Sequence, residues 1–333
     1  MFGKRLIGLG GNVGNTEMQV STARYNGNGT SQDILTGFQS DFSWFKQYDS
    51  TGCNFITDSL RGVNSQLSTN NGNSQTTDSQ MVTAYNSTSV SIGSNSNINQ
   101  SGISHFMLNI AAGNKEVNNN DGTILSVVNA VPGFSVVKYT GTGTAGTVGH
   151  AMGLTPSMVI IKRIDANTSF RGWNVFYNYG GQKRIVLNTT AASAGSLYAL
   201  QSVSDTTFQT PAYSHSDWNV SGGQYVAYCF ADEPNHCKVG YYAGQEYGPI
   251  GVSLLSPPKF LMVKNMDYPT DWKMFSNVME TARSLEPNTC DTRLNSFYGC
   301  YASFSGNNVY INSQGQGIEV KQVGYNYMYL LIG

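Results

Sequence analysis

The chain has 333 residues, a net charge of −1, and 12% charged against 40% hydrophobic residues. An average globular chain is about 25% charged, so this surface is built from hydroxyls and amides, and no Lys/Arg run supplies the electrostatic footprint of a nucleic-acid binder. No apolar stretch reaches the ~20 residues of a membrane-spanning helix.

Residues 1–20 form a short arm that begins MFGKRLIGLGGNVGN. It turns polar by Asn12, too early for a signal-peptide core. Synthesis in the cytoplasm is therefore expected, with the arm as a candidate anchor to a partner. Beyond the arm the chain repeats itself. Three apolar runs end in Lys-x-x-Asp: FSWFKQYD (42–49), MVIIKRID (158–165) and FLMVKNMD (260–267). Upstream of each lies a tyrosine-containing strand pattern, ARYNGNG, VKYTGTG or GYYAGQE. Downstream come NFITDSLRG, WNVFYNYGG and WKMFSNVME, then LSTN, LNTT and LEPN. Each copy closes on an aromatic-rich strand: SHFMLNIAA, QYVAYCFAD and YNYMYLLIG.

A fixed period of this size signals tandem units. The copies run 21–116, 117–236 and 237–333. Short apolar or alternating runs between Gly, Asn and Ser clusters predict strands and turns. The fold class expected is all-β: three tandem β-sandwiches, jelly-roll or lectin-like, stacked as a rod. The closing strand YNYMYLLIG is expected to pack within its own sandwich. The best helix candidate is 277–286, NVMETARSLE. The lysine of Lys-x-x-Asp marks where a strand leaves the sheet, and the Asp suits an Asx turn.

Candidate chemistry is sparse. GTGTAG at Gly141, Gly143 and Gly146 matches the dinucleotide fingerprint letter for letter. A fingerprint needs a helix to start at its last glycine, yet Gly149, Gly153 and Pro156 follow at once. The sister copies keep the frame with different glycine content, GNGTSQ and GQEYGP, so the stretch reads as a turn. The four histidines lack metal-ligand spacing, no cofactor is expected, and the chain is not expected to be an enzyme. Glycoside cleavage needs only two carboxylates, and Asp58, Asp205, Asp217, Asp232, Glu233 and Asp271 are available. Their simplest reading is loop charge and turn capping. The five cysteines show no paired spacing and read as free thiols. Trp44, Trp173 and Trp272 align with core positions. Tyr213, His215 and Trp218 share one loop and form the one candidate surface aromatic patch, with plain loop packing as the stronger reading.

The stretches KYTGTGTAGTVGHAMGLTPSMVIIKRID, RIVLNTTAA and NVSGGQYVAYCFAD resemble a repeated domain of virion structural proteins from tailed phages of marine bacteria, of the cyanophage and pelagiphage type. The second copy carries the likeness best. The first lacks the proline before its lysine strand, and the third has a divergent middle. The resemblance implies a virion protein, a tail fibre or appendage subunit acting in particle architecture or host attachment. It implies self-association as a homotrimer, contact with tail or capsid proteins through the arm, and host glycan as a further candidate partner. Nucleic acid and membrane insertion are not expected. The competing readings are a capsid decoration or head-fibre protein, and a depolymerase acting on host glycans.

Overall fold

The computed structural model describes residues 16–167, 172–194, 198–211, 215, 217–280, 283–291, 294–295, 299–313 and 317–333. Among these residues the chain is all-β, and its sheets are antiparallel throughout. The one α-helix described is a single turn, Ser96–Asn99, whose Asn97 N–H is capped by Asn95 Oδ1 at 2.8 Å. Residues 277–286 are not helical. Asn277 and Val278 lie in a turn, Arg283–Ser284 is a strand, and Leu285 is bridged to Met274. Pairing across the sheet satisfies that backbone instead.

Three larger sheets share one strand order. In the first, the opening strand Gln19–Asn26 pairs with the closing strand Ser104–Ala111, then come the lysine strand Phe42–Gln47 and its neighbour Asn54–Asp58. The second repeats this as Phe134–Thr140, Gln224–Ala231, Pro156–Arg163 and Trp173–Asn178. The third has Cys237–Ala243, Asn326–Ile332, Phe260–Asn265 and Lys273–Ser276. Each larger sheet is accompanied by a three-stranded one, centred on Ser89–Ile92, Thr207–Gln209 and Asn308–Ser313. Among the described residues, only the second sheet carries two further strands, Val117–Asn119 and Ser126–Val131, outside its opening strand.

The closing strands explain how these layers assemble. Side chains alternate across a strand. Met107, Ala227, Cys229 and Leu331 point into the cores shared with the small sheets. Phe106, Leu108, Ile110, Tyr228, Phe230, Met328, Leu330 and Ile332 point the other way, into one cluster common to all three larger sheets. There Phe42 meets Phe134 at 5.7 Å and Tyr228 at 5.1 Å, and Phe260 meets Trp44 at 6.4 Å and Phe106 at 6.3 Å. The sandwiches therefore wrap around a shared core and are not strung as a rod. A larger sheet that is apolar on both faces has to be covered on both, and its counterparts supply the second cover.

Candidate functional site

The expected surface patch is not a patch. Trp218 is 1% exposed and belongs to the core of the second sandwich, edge-on to Phe176 at 6.3 Å. Its position follows from packing: an indole buries more apolar area in that core than a loop surface offers. His215 stacks over it at 4.5 Å and remains partly exposed, while Tyr213 lies outside the described residues. The GTGTAG stretch forms a turn, with Gly141 N–H donating to Gly223 O at 2.8 Å and Gly143 at φ 78°. A strand, Thr147–Gly149, follows it where a nucleotide loop would start a helix.

Four of the six candidate carboxylates, Asp58, Asp232, Glu233 and Asp271, have structural partners that account for them. Asp58 and Arg61 are both fully buried and joined at 2.5 Å, and Tyr228 Oη donates to Asp58 Oδ2 at 2.7 Å from the second sheet. The Arg61 guanidinium also donates to Ile56 O, Ser65 O and Gln75 Oε1. A buried charge pair is stable only when its remaining donors are satisfied in this way. Asp232 pairs with Lys238 and accepts Val239 N–H, Glu233 caps the turn at Asn235 and His236, and Asp271 accepts from Asn288. His105 stacks on Tyr25 at 5.3 Å, and burial lowers its pKa to about 4.

The repeated lysines turn out to join the sandwiches. Lys46, Lys162 and Lys264 are each 0% exposed at the end of a lysine strand. Lys46 Nζ donates to Gly52 O at 2.6 Å and to Thr289 O, in the third unit, at 3.3 Å. Lys162 Nζ donates to Arg163 O at 2.7 Å and to Gly72 O, in the first unit, at 3.2 Å. Lys264 Nζ donates to Thr270 O and, at 3.0 Å, to Thr190 O in the second unit. Each lysine thus holds the preceding unit, and the first holds the third, so the contacts run in one cyclic sense. Burial disfavours the charged form and lowers these pKa values to about 8, 8 and 7.

A second set of donors repeats the cycle. Lys46 is registered opposite Asn54, and Lys162 opposite Trp173; Trp272 immediately precedes Lys273, the partner of Val263. Asn54 Nδ2 donates to Glu286 O and Thr289 O, both at 2.9 Å. Trp173 Nε1 donates to Ser68 O at 2.8 Å, and Trp272 Nε1 to Val186 O at 3.1 Å. The acceptors lie in or beside the LSTN, LNTT and LEPN stretches, which explains why the sequence repeats them. Beside the first of these latches sits a disulfide between Cys53 and Cys290, 237 residues apart. This corrects the reading of all five cysteines as free thiols: Cys229, Cys237 and Cys300 are free and buried. The backbone joins first to second and second to third units, and the disulfide joins third to first. No spacing motif announces a pair so distant; only proximity in the fold creates it.

No curated protein matches the chain. A family described as a domain of unknown function, DUF7483, matches residues 17–332 as one domain, spanning all three sandwiches and the core they share. With nearly its whole length matched, the chain belongs to the DUF7483 family.

Proposed function

We propose that the protein is a structural subunit of a tailed-phage virion, built into a tail fibre or comparable appendage. The virion assignment rests on the resemblance of the repeated stretches. The structural observation that supports it is the closed cycle of buried latches. Fully buried lysines, indoles and an arginine are engaged in holding sandwich to sandwich. Such a body suits permanence more than turnover. The low surface charge fits a particle exposed to changing salt, since screened ion pairs supply little of its stability.

The proposed partners are other tail or capsid proteins, reached through the arm ahead of the opening strand Gln19–Asn26, which itself takes up the last two residues of the expected 1–20 arm, with host glycan as a further candidate. A homotrimer has to use surfaces other than the shared core, because those apolar faces are already buried within one chain. Immunogold labelling of intact particles tests the reading. Label on tail appendages is the expected result. Label confined to heads overturns the appendage assignment, and particles free of the protein overturn the virion role.

A further inference from the structure

The three seams between sandwiches are not equally filled. In the seam between first and second units lies the extra strand Ser126–Val131, paired antiparallel to the opening strand, with Asn129 opposite Val136 and Val127 opposite Lys138. Asn129 Nδ2 reaches across the seam to Asp41 Oδ1 at 3.1 Å and Ser59 Oγ at 2.7 Å. The register of the lysine strands locates the matching places in the seam between second and third units. Asp41 stands five residues before Lys46, as Ser157 does before Lys162. Ser59 follows Asp58, the partner of Phe42, as Asn178 follows Tyr177, the partner of Met158. Val136 and Lys138 correspond to Val239 and Tyr241.

In that second seam no strand among the described residues occupies the place of Ser126–Val131. What lies there is an open groove of about 570 Å³, lined by Ser157, Asn178, Lys238, Val239 and Tyr241 among others. Among the described residues, the opening strand Cys237–Ala243 has a strand partner on one side only, Asn326–Ile332. Its outer side is marked by Cys237 N–H donating to Glu233 O and Val239 N–H to Asp232 Oδ1. Amides alternate sides along a strand, so the N–H groups of Tyr241 and Ala243 are on the outer side too, that of Tyr241 at the groove and that of Ala243 just beyond its lining.

We propose that this groove receives an extended β-strand from a partner protein, as the first seam receives Ser126–Val131, with its pairing confined to the Tyr241 end because Glu233 and Asp232 already cover Cys237 and Val239. The partner strand runs antiparallel to Cys237–Ala243. It carries aliphatic side chains flanking one small amide or hydroxyl residue, which meets Ser157 and Asn178. Main-chain hydrogen bonds to an exposed sheet edge supply the affinity, and alternate side chains the specificity. The remaining seam is a weaker host. There Lys259 Nζ already donates to Val20 O at 2.7 Å on the opening strand, and Thr22 is bonded to Asn277.

The molecule supplies its own probe. A synthetic peptide of residues 124–132, ILSVVNAVP, with terminal lysines for solubility, is added to the intact oxidised chain. Hydrogen exchange is then read amide by amide. Exchange at Tyr241 and Ala243 should slow at least tenfold, and a peptide with proline in place of its asparagine should have no effect. The variant Ala243→Pro removes one outward donor from an exposed edge position, where proline is tolerated. It should weaken peptide binding about tenfold, the worth of roughly one hydrogen bond, with its own urea midpoint confirming an intact fold. No slowing at these amides overturns the proposal. Protection already present without peptide shows the groove filled by the chain itself, and overturns the assignment to a partner. Slowing confined to Gln19–Asn26 moves the site to the other seam and overturns this one.

Discussion

At the scale of single residues, the buried lysines set the pH response. Their folded pKa values, about 8 for Lys46 and Lys162 and about 7 for Lys264, lie below the ordinary 10.5. Below pH 7 both folded and unfolded chains hold these protons, and the burial cost is fully present. As pH rises, the folded lysines release protons before the unfolded chain does, so stability rises. From about pH 9 the opposite occurs, because the buried thiols of Cys229, Cys237 and Cys300 are held above their ordinary value. Above pH 10 the buried tyrosines Tyr139, Tyr228 and Tyr242 add to the decline. Urea midpoints should therefore climb between pH 7 and 9 and fall beyond pH 10; a flat or falling profile from 7 to 9 contradicts charged, buried lysines. Lys264→Met removes one titrating group, strands the buried Thr270 carbonyl and breaks the bond to Thr190 O across the seam. It should reduce the climb and cost about 1–3 kcal/mol at pH 7.

At the scale of elements, the closing strands are where sequence was most informative and most misleading. Their runs, such as YNYMYLLI, identified strands at once. A period of two with both faces apolar means burial on both sides, yet the sequence names no neighbour for the second face. Nothing local distinguishes a partner in the same sandwich from one 100 residues away. The lysine strands had the same character: the Lys-x-x-Asp recurrence located the latches, while their acceptors in the next unit were invisible. The Cys53–Cys290 pair had no local signal at all. The face assignment can be tested by truncation. Leu330→Ala, on the shared core, should cost about 2–5 kcal/mol. Leu35→Ala, where the side chain is 78% exposed, should stay within about 0.5 kcal/mol. Equal costs in urea denaturation contradict the assignment.

At the scale of the whole molecule, one chain closes on itself. The seam between third and first units has no backbone link, and the Cys53–Cys290 bond supplies it. A loop of this length, 237 residues, limits the unfolded chain by up to about 5 kcal/mol in the chain-entropy model. Cys53→Ser with Cys290→Ser should lower the urea midpoint and raise proteolysis at residues 286–291 ahead of the other seams; an unchanged midpoint contradicts a covalent clasp of that weight. The shared core makes a stronger demand, that the three sandwiches unfold as one. Hydrogen exchange in rising urea follows the closing strands Ser104–Ala111, Gln224–Ala231 and Asn326–Ile332 separately. All three should lose protection at a single urea concentration, whereas three separate midpoints would show independent domains and contradict a common core.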